Sequence, residues 1–132
     1  FIDFGYGTGL KSIGDGWGRT WQLVPFGGAS ADPQMLNKRG EMFNACKTWL
    51  KLGGALDDQE TADDLSAAEY KVRVDGKIVM EPKEDIKERL GRSPGKGDAL
   101  LLTFAYPVAK RSDFPAAGCK QPNVISEYDP WA

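Results

Sequence analysis

The stretch that decides the fold is Gly91-Arg-Ser-Pro-Gly-Lys-Gly-Asp-Ala-Leu-Leu-Leu-Thr-Phe-Ala-Tyr106. Ser93 followed by Pro94 predicts a helix start, because a serine hydroxyl can cap free backbone amides and proline is tolerated in the first turn. The helix predicted from about Pro94 to Tyr106 is apolar around almost its whole circumference, which is typical of a buried helix. This helix is therefore expected to lie at the centre of the fold.

Asp98 is the exception in this apolar helix. Leu101, Leu102 and Ala105 follow it at helical spacing and therefore share its face. A buried carboxylate is costly unless it is paired, hydrogen-bonded or bound to a metal. Two interpretations stay open from the pattern alone. Asp98 belongs to a functional site, or it has no function and either is favoured near the helix N-terminus by the helix dipole or simply faces solvent.

The size and charge of the chain exclude several classes of protein. Its 132 residues suit a single domain with a modest core. No apolar run approaches the ~20 residues that cross a bilayer, so no membrane partner is predicted. The net charge is −2, so any contact with nucleic acid has to come from local basic patches. The chain begins at Phe1 in a strand-like run, and we expect it to be part of a longer protein.

The chain contains no histidine, which narrows its chemistry considerably. Catalytic triads and histidine metal sites are excluded at once. Cys46 and Cys119 are too few for a typical structural zinc site, and they are interpreted as free thiols in a reducing compartment. Any catalysis would therefore rest on carboxylates, lysine or arginine, which points to oxygen-liganded Mg²⁺ or Mn²⁺.

A second candidate acid, Asp3, lies near the start of the chain. Residues 1–4 resemble the end of a buried strand, and Gly5, Gly7 and Gly9 follow directly. Open α/β sheets bind ligands at the C-terminal ends of their strands, and glycines let the backbone approach a phosphate or a metal. Neither the dinucleotide fingerprint nor the P-loop spacing is met. The alternative is a glycine-rich turn into a short helix.

The remaining pattern predicts an α/β fold with a Pro-rich tail. A strand over 20–26 would complete a parallel βαβ unit with the first strand. Further along the chain we expect a helix over 32–52 with an apolar core stripe, a short surface helix over 57–69, a hairpin over 70–81 with a two-residue Asp-Gly turn, and a charged helix over 82–90. Residues 1–106 would form the domain, and residues 107–132 an extended or partly disordered tail.

The two candidate acids could meet at one edge of the predicted sheet. Paired carboxylates hold divalent metals, and two-metal sites clamp a phosphodiester between ions about 3.5–4 Å apart. Two carboxylates, Asp3 and Asp98, are fewer ligands than a site for two metal ions usually has. The residues by themselves therefore predict no more than a magnesium-dependent phosphoryl-transfer site.

Four basic residues are candidates for contact with a phosphate backbone. Arg92 and Lys96 flank the predicted start of the central helix, and a helix N-terminus favours anions. Lys38 and Arg39 form a local basic pair near the beginning of the 32–52 helix. The alternative for this pair is a solvated surface without a function.

Several short segments occur in the same order as similar segments in a known protein family. They are Asp3 with Gly5-Tyr-Gly-Thr-Gly9, Phe26-Gly-Gly, Asn37-Lys-Arg-Gly-Glu-Met42, Gly53-Gly-Ala-Leu56, the Arg-Ser-Pro-x-x-x-Asp-Ala-Leu segment at 92–100, and Thr103-Phe-Ala105. Together they are similar to the C-terminal part of the nuclease domain of tailed-bacteriophage terminase large subunits. The resemblance covers roughly residues 1–106, and its Asn-Lys-Arg and Arg-Ser-Pro segments are the more specific ones.

This resemblance implies an RNase H-like nuclease fold, with a β-hairpin insertion and an irregular tail. It implies a metal-dependent endonuclease that cuts concatemeric double-stranded DNA during genome packaging, in the cytoplasm of an infected bacterial host. Asp3 matches the second acid of the family and Asp98 the third, and both would hold Mg²⁺ or Mn²⁺. The first acid is expected on a strand that precedes Phe1, so this stretch alone would be weakly active or inactive. Besides DNA, the implied partners are the portal protein and the small terminase subunit.

Two other interpretations were compared with the nuclease. A non-catalytic docking module of the packaging motor would bind portal or DNA without a divalent metal. Another RNase H-like enzyme, such as a resolvase or an integrase, would share the acids. The Gly-Arg-Ser-Pro segment argues against this last alternative.

Overall fold

The computed structural model describes residues 1–108, a mixed α/β fold. Its elements are β1 (Ile2–Asp3), α1 (Phe4–Gly16), β2 (Leu23–Val24), α2 (Lys38–Lys51), α3 (Gln59–Ser66), β3 (Tyr70–Val72), β4 (Ile78–Met80), α4 (Lys83–Leu90) and α5 (Gly95–Leu102). Within this part of the chain, no helix is both long and apolar enough to cross a membrane. The α/β class is confirmed, whereas the predicted tail lies outside the described residues from 109 onward.

The first three elements form a parallel βαβ unit, as predicted. Ile2 pairs with Leu23 and Asp3 with Val24 in a parallel register. The expected glycine loop is wrong, because the glycines at 5, 7 and 9 lie within α1. Asp3 starts this helix, and its carboxylate accepts a hydrogen bond of 3.0 Å from the amide of Gly5. Asp3 is therefore both the last residue of a strand and the N-cap of a helix.

Two buried glycines explain why a glycine-rich segment is helical here. Gly7 and Gly14 lie one heptad apart, on the face of α1 that packs on the strands. A Cβ atom at Gly14 would lie 2.5 Å from the indole ring of Trp21. Glycine lets the helix approach its neighbours closely, which offsets its low helix propensity.

Helix α2 begins later than its sequence suggests, and the predicted start at Asp32-Pro33 is wrong. The carboxylate of Asp32 instead accepts a hydrogen bond of 2.9 Å from the amide of Gln34 in a local turn. The chain then runs beside β4, where the amide of Leu36 donates to the carbonyl of Ile78 at 2.9 Å. Asn37 is the true N-cap. The predicted end of the helix is confirmed, since α2 stops at Lys51.

The core lies between β2, α2 and α5. It contains Val24, Met42, Cys46, Leu101 and Ala105, all fully or almost fully buried. This confirms the apolar stripe of α2 and the buried face of the central helix. The two ends of the described chain also meet, because the rings of Phe1 and Tyr106 lie 5.5 Å apart.

The central helix is shorter than predicted. It spans Gly95–Leu102, and Pro94 occupies the cap position without a capping side chain. The predicted cap by the Ser93 hydroxyl is wrong, because the amide of Gly95 donates instead to the carbonyl of Ser93, at 2.8 Å. The chain therefore enters α5 through a backbone turn.

The hairpin and the charged helix that follows it are confirmed. The turn differs from the prediction, because Arg73 and Lys77 are joined by a backbone hydrogen bond of 2.9 Å around a three-residue loop. Gly76 is the last loop residue and takes a φ of 79°, as such loops require. Helix α4 ends at Gly91, whose φ of 69° is typical of a helix C-terminus.

We expect Gly97→Ala to destabilise the protein by about 2 kcal/mol, because overpacking a core position costs about this much. The added Cβ atom would lie 2.7 Å from the Cβ atom of Asp64. Gly95 is the matched control on the same helix, because a Cβ atom there meets nothing within 4 Å. Gly95→Ala should be neutral or stabilising by up to about 1 kcal/mol. Urea unfolding measures both, and equal shifts would contradict the packing of α3 on α5.

Candidate active site

Asp98 faces the interior, and the solvent-facing interpretation is therefore wrong. Its side chain is on the first turn of α5, and the residue is only 8% exposed. The ammonium of Lys83, the first residue of α4, forms an ion pair with its Oδ2 atom. That atom accepts no hydrogen bond of ordinary geometry from the described residues. Asp98 is thus a buried carboxylate with one direct cationic partner.

A buried guanidinium stands beside this pair. Arg39 is 9% exposed, and its Nη1 atom donates to the carbonyl of Glu81 at 2.8 Å. Its backbone amide donates to the carbonyl of Phe26 at 2.9 Å. Burial lowers the pKa of Arg39, whereas the charges of Asp98, Glu81 and Glu84 act to raise it. The guanidinium remains charged, so Arg39 joins the ends of β2 and β4 and places a positive charge close to Asp98.

A second buried carboxylate, Asp64, was missed by the sequence reasoning. It is 2% exposed, and its Oδ2 atom accepts a hydrogen bond of 3.0 Å from the amide of Gly97. Its Oδ1 atom lies 2.5 Å from Nη1 of Arg92. The 57–69 segment was expected to be a surface helix. The spacing of Thr61, Asp64 and Leu65 is the signal that could have revealed a buried face.

These charges border one narrow gap between the helices, which has no room for a water molecule. It is lined by Arg39, Asp64 and Asp98 together with apolar side chains of α2, α4 and α5. In the described part of the chain, every buried side-chain nitrogen or oxygen without a hydrogen-bond partner belongs to one of these three residues. Buried polar groups are normally satisfied. The two carboxylates nevertheless have ion-pair partners, Lys83 for Asp98 and Arg92 for Asp64, which leaves two nitrogens of Arg39 without an acceptor among the described residues.

Asp3 is linked to the core around α5 indirectly, through the strand that pairs with it. Its register partner Val24 belongs to the core with Leu101, and two residues further on, Phe26 binds the amide of Arg39. The two candidate acids nevertheless keep separate partners, the amide of Gly5 for Asp3 and the ammonium of Lys83 for Asp98. Over residues 1–108, no group of three or more His, Cys, Asp or Glu side chains is arranged to hold a metal.

The residues present can be tested for their fit to a divalent cation. Asp98 presents a buried carboxylate oxygen without a hydrogen-bond donor of ordinary geometry, and carboxylate oxygen is the ligand that Mg²⁺ and Mn²⁺ prefer. Asp3 is a second, half-buried carboxylate, on β1. It does not line the gap beside Asp98, so the two acids by themselves do not make up a metal site within residues 1–108.

The Lys38–Arg39 pair is buried, so the solvated-surface alternative is wrong. Lys38 is 6% exposed, and its Nζ atom lies 2.6 Å from Oε1 of Glu41. The same ammonium lies 4.4 Å from the centre of the Tyr106 ring. Burial alone would raise the pKa of Glu41, but hydrogen bonds from Lys38 and its other neighbours lower it overall. Contact of this pair with DNA stays a prediction.

The other two predicted DNA-binding residues are more accessible. The side chains of Arg92 and Lys96 are 38% and 51% exposed. Both contact acids of α3, and Nζ of Lys96 lies 2.7 Å from Oε2 of Glu60. The hydrogen bond to Glu60 raises the pKa of Lys96, with further contributions from Asp58. A phosphate would have to compete with these carboxylates, and contact with DNA stays a prediction here too.

We expect the protein to lose stability in acid, partly through Glu81. Two hydrogen bonds of 2.8 Å from Arg89 lower the pKa of Glu81, although burial opposes them. A lowered pKa contributes stability above the unfolded value near 4.5, which is lost as pH falls through the folded pKa. Glu81→Gln should therefore show a smaller loss of unfolding free energy between pH 6 and about pH 3. Urea titrations at each pH measure this, and Glu88→Gln, at an exposed position, serves as the control.

Searches with this chain against protein-family models, curated proteins and solved structures returned no match.

Proposed function

We propose that this chain is part of the nuclease domain of a bacteriophage DNA-packaging terminase and cuts double-stranded DNA with Mg²⁺ or Mn²⁺. The observation that carries the proposal is the buried Asp98, which lies against Lys83 and close to the charge of Arg39. Keeping a carboxylate inside a core is expensive and needs compensation. A structural role would be met more cheaply by an apolar residue, so a site for a hard cation is the better explanation.

The resemblance to terminases supports the same residues independently. It selects Asp3 and Asp98 by their motifs, whereas the geometry selects Asp98 by its burial. The parallel β1–β2 pair ends at Asp3, and ligands of α/β sheets lie at such strand ends. An RNase H-like fold is part of this proposal.

Each residue would have a definite task in the reaction. A divalent cation, when bound, would supply Lewis-acid stabilisation and activate the attacking water. By the resemblance Asp3 and Asp98 would hold it, and Arg39 would place a positive charge close to Asp98. Arg92 and Lys96, at the start of α5, would neutralise the phosphate backbone after leaving their acidic partners on α3. The buried core around Asp98 would exclude bulk water from one side of the site.

Nicking of supercoiled plasmid DNA tests the proposal. Because the resemblance predicts the first acid on a strand before Phe1, the assay uses a longer protein that includes this strand. We expect nicking in Mn²⁺ or Mg²⁺, none in EDTA, and severe loss in Asp98→Asn. Nicking that continues in EDTA would contradict the proposal.

The docking-module alternative makes the opposite prediction in the same experiment. It predicts that DNA or portal is bound equally well with and without divalent metal, and that Asp98→Asn changes nothing. Metal-independent binding without any nicking would therefore favour it.

A further inference from the structure

We propose that residues 123–129 of this chain dock beside β3 as an additional strand and cover the groove between the hairpin and α2. The segment has the sequence Asn-Val-Ile-Ser-Glu-Tyr-Asp and lies beyond the residues that the structure describes. The inference is independent of the proposed function, because it uses neither Asp3 nor Asp98. Its consequence is that the tail occupies a strand edge that would otherwise be open to other chains.

The outer edge of β3 can accept another strand. In the described part of the chain β3 pairs with β4 alone, whereas the other edge of the hairpin pairs with residues 34–36. The amide of Arg73 donates to the carbonyl of Lys77 across the hairpin. Since backbone groups alternate in direction along a strand, those of Tyr70 and Val72 point away from β4. Native proteins usually cover or blunt such an edge.

An apolar groove lies on one side of this edge. Its volume is about 260 Å³, and the residues that line it include Phe43, Leu50, Tyr70 and Met80. Val72 is on the same side of the hairpin as Tyr70, and these two residues are 64% and 61% exposed. A strand added beside β3 would place every second side chain over the groove and bury this apolar surface.

The opposite side of β3 is basic. Lys71 and Arg73 alternate with the apolar residues of the strand and are exposed. The only acid that forms an ion pair with either of them among the described residues is Asp75, 3.8 Å from Arg73. An added strand with acidic side chains on this side would place them opposite the two cations, and cross-strand pairs of opposite charge stabilise a sheet.

The sequence of residues 123–129 matches both sides of β3. An extended backbone places Val124, Ser126 and Tyr128 on one face and Ile125, Glu127 and Asp129 on the other. The first face would lie over the apolar groove. The second face would bring two carboxylates to the basic side of β3.

This segment is also the part of the tail best suited to a strand. Pro122 and Pro130 bound it, and all the cations of the tail precede it at 110, 111 and 120. Its valine, isoleucine and tyrosine favour strands. The described chain ends close to α2, because the ring of Tyr106 lies 4.4 Å from the ammonium of Lys38. From there, residues 109–122 can span up to about 45 Å, which is enough to cross a domain of this size.

Hydrogen exchange of single amides in the full chain, followed by nuclear magnetic resonance, tests the docking. We expect the amides of Tyr70 and Val72 to exchange about tenfold or more slowly than those of an unstructured peptide. Glu127→Lys combined with Asp129→Lys should remove most of this protection, because like charges would face each other across the strands. The amide of Arg73, bonded within the hairpin, should not change and shows that the hairpin is intact.

Two further variants make the test specific. Asp113→Lys reverses an acid of the same tail outside the segment and should leave the protection of Tyr70 and Val72 unchanged. Adding Lys71→Glu and Arg73→Glu to the reversed segment should restore the protection, since opposite charges then face each other again.

Each outcome decides for or against the docking. Loss of protection in the reversed segment and its recovery in the combined variant support it. Amides of Tyr70 and Val72 that exchange freely in the parent chain overturn it, as does protection that the reversed segment leaves unchanged or that the combined variant does not recover. Protection that grows with protein concentration would assign the edge to a second copy of the chain and overturn it as well.

Discussion

In the longer protein proposed for the nicking assay, Asp98→Asn is expected to reduce metal-dependent nicking by about 100-fold or more, while the protein stays folded. Even the outer-shell partners of a metal ligand change affinity or activity by about 10–100-fold, and a direct ligand should matter at least as much. Asparagine keeps the size of the side chain and loses only the charge. Burst rates on supercoiled plasmid at saturating Mn²⁺ measure the effect.

The matched control for this variant is Asp85→Asn. Asp85 is an exposed acid in the first turn of α4, the helix that carries Lys83. It should nick DNA at the parental rate. Circular dichroism would show that both variants keep the helical content of the parent. An Asp98→Asn protein that nicks as fast as the parent would remove Asp98 from the site.

Arg39→Met is expected to lower the free energy of unfolding by about 2 kcal/mol, because leaving a buried hydrogen-bond acceptor without its donor costs about 1–3 kcal/mol. The expected loss of unfolding free energy has two sources. Asp98 would lose a neighbouring positive charge, and the carbonyl of Glu81 would lose its donor. Urea unfolding at pH 7 measures the change.

An exposed arginine provides the comparison for the buried Arg39. Arg73→Met removes a side chain that is half exposed beside the hairpin loop and forms an ion pair with Asp75, at 3.8 Å. Its effect on unfolding should be close to zero, because exposed ion pairs contribute little. If Arg39→Met were as stable as Arg73→Met, the buried charge cluster around Asp98 would not stabilise the fold.

The sequence predicted most elements correctly and misplaced several of their ends. The parallel βαβ unit, the hairpin and the end of α2 followed from local patterns, whereas the burial of Asp98 was one of two interpretations that the pattern left open. Helix α1 did not, because its glycines are favoured by close packing against Ile2 and Trp21, which no local pattern reveals. Asp32-Pro33 has the chemistry of a helix start. The pairing of the adjacent chain with Ile78 nevertheless delays the helix to Asn37.

The candidate site could be predicted from the sequence only where a residue was unusual within its own segment. Asp98 stood out because it interrupts an apolar helix. Its partners Lys83 and Arg39 come from other helices, and nothing in their own segments distinguishes them from surface cations. Asp64 could not be identified either, because it lies in a polar helix where nothing distinguishes it from the surface acids around it. Long-range pairing of charges depends on tertiary packing, and a pattern of neighbouring residues does not contain it.

The contact between Phe1 and Tyr106 has a consequence for the order of folding. It joins residues at opposite ends of the described chain, so its formation closes the longest loop in this part of the protein. Closing such a long loop lowers the entropy of the chain before the contact itself contributes any stability. This favours late formation of the contact. Asp3 lies two residues from this contact, whereas Asp98 belongs to the helical core. The segment around Asp3 would therefore dock late in folding, onto a helical core that already contains Asp98, and it would be among the first parts to open.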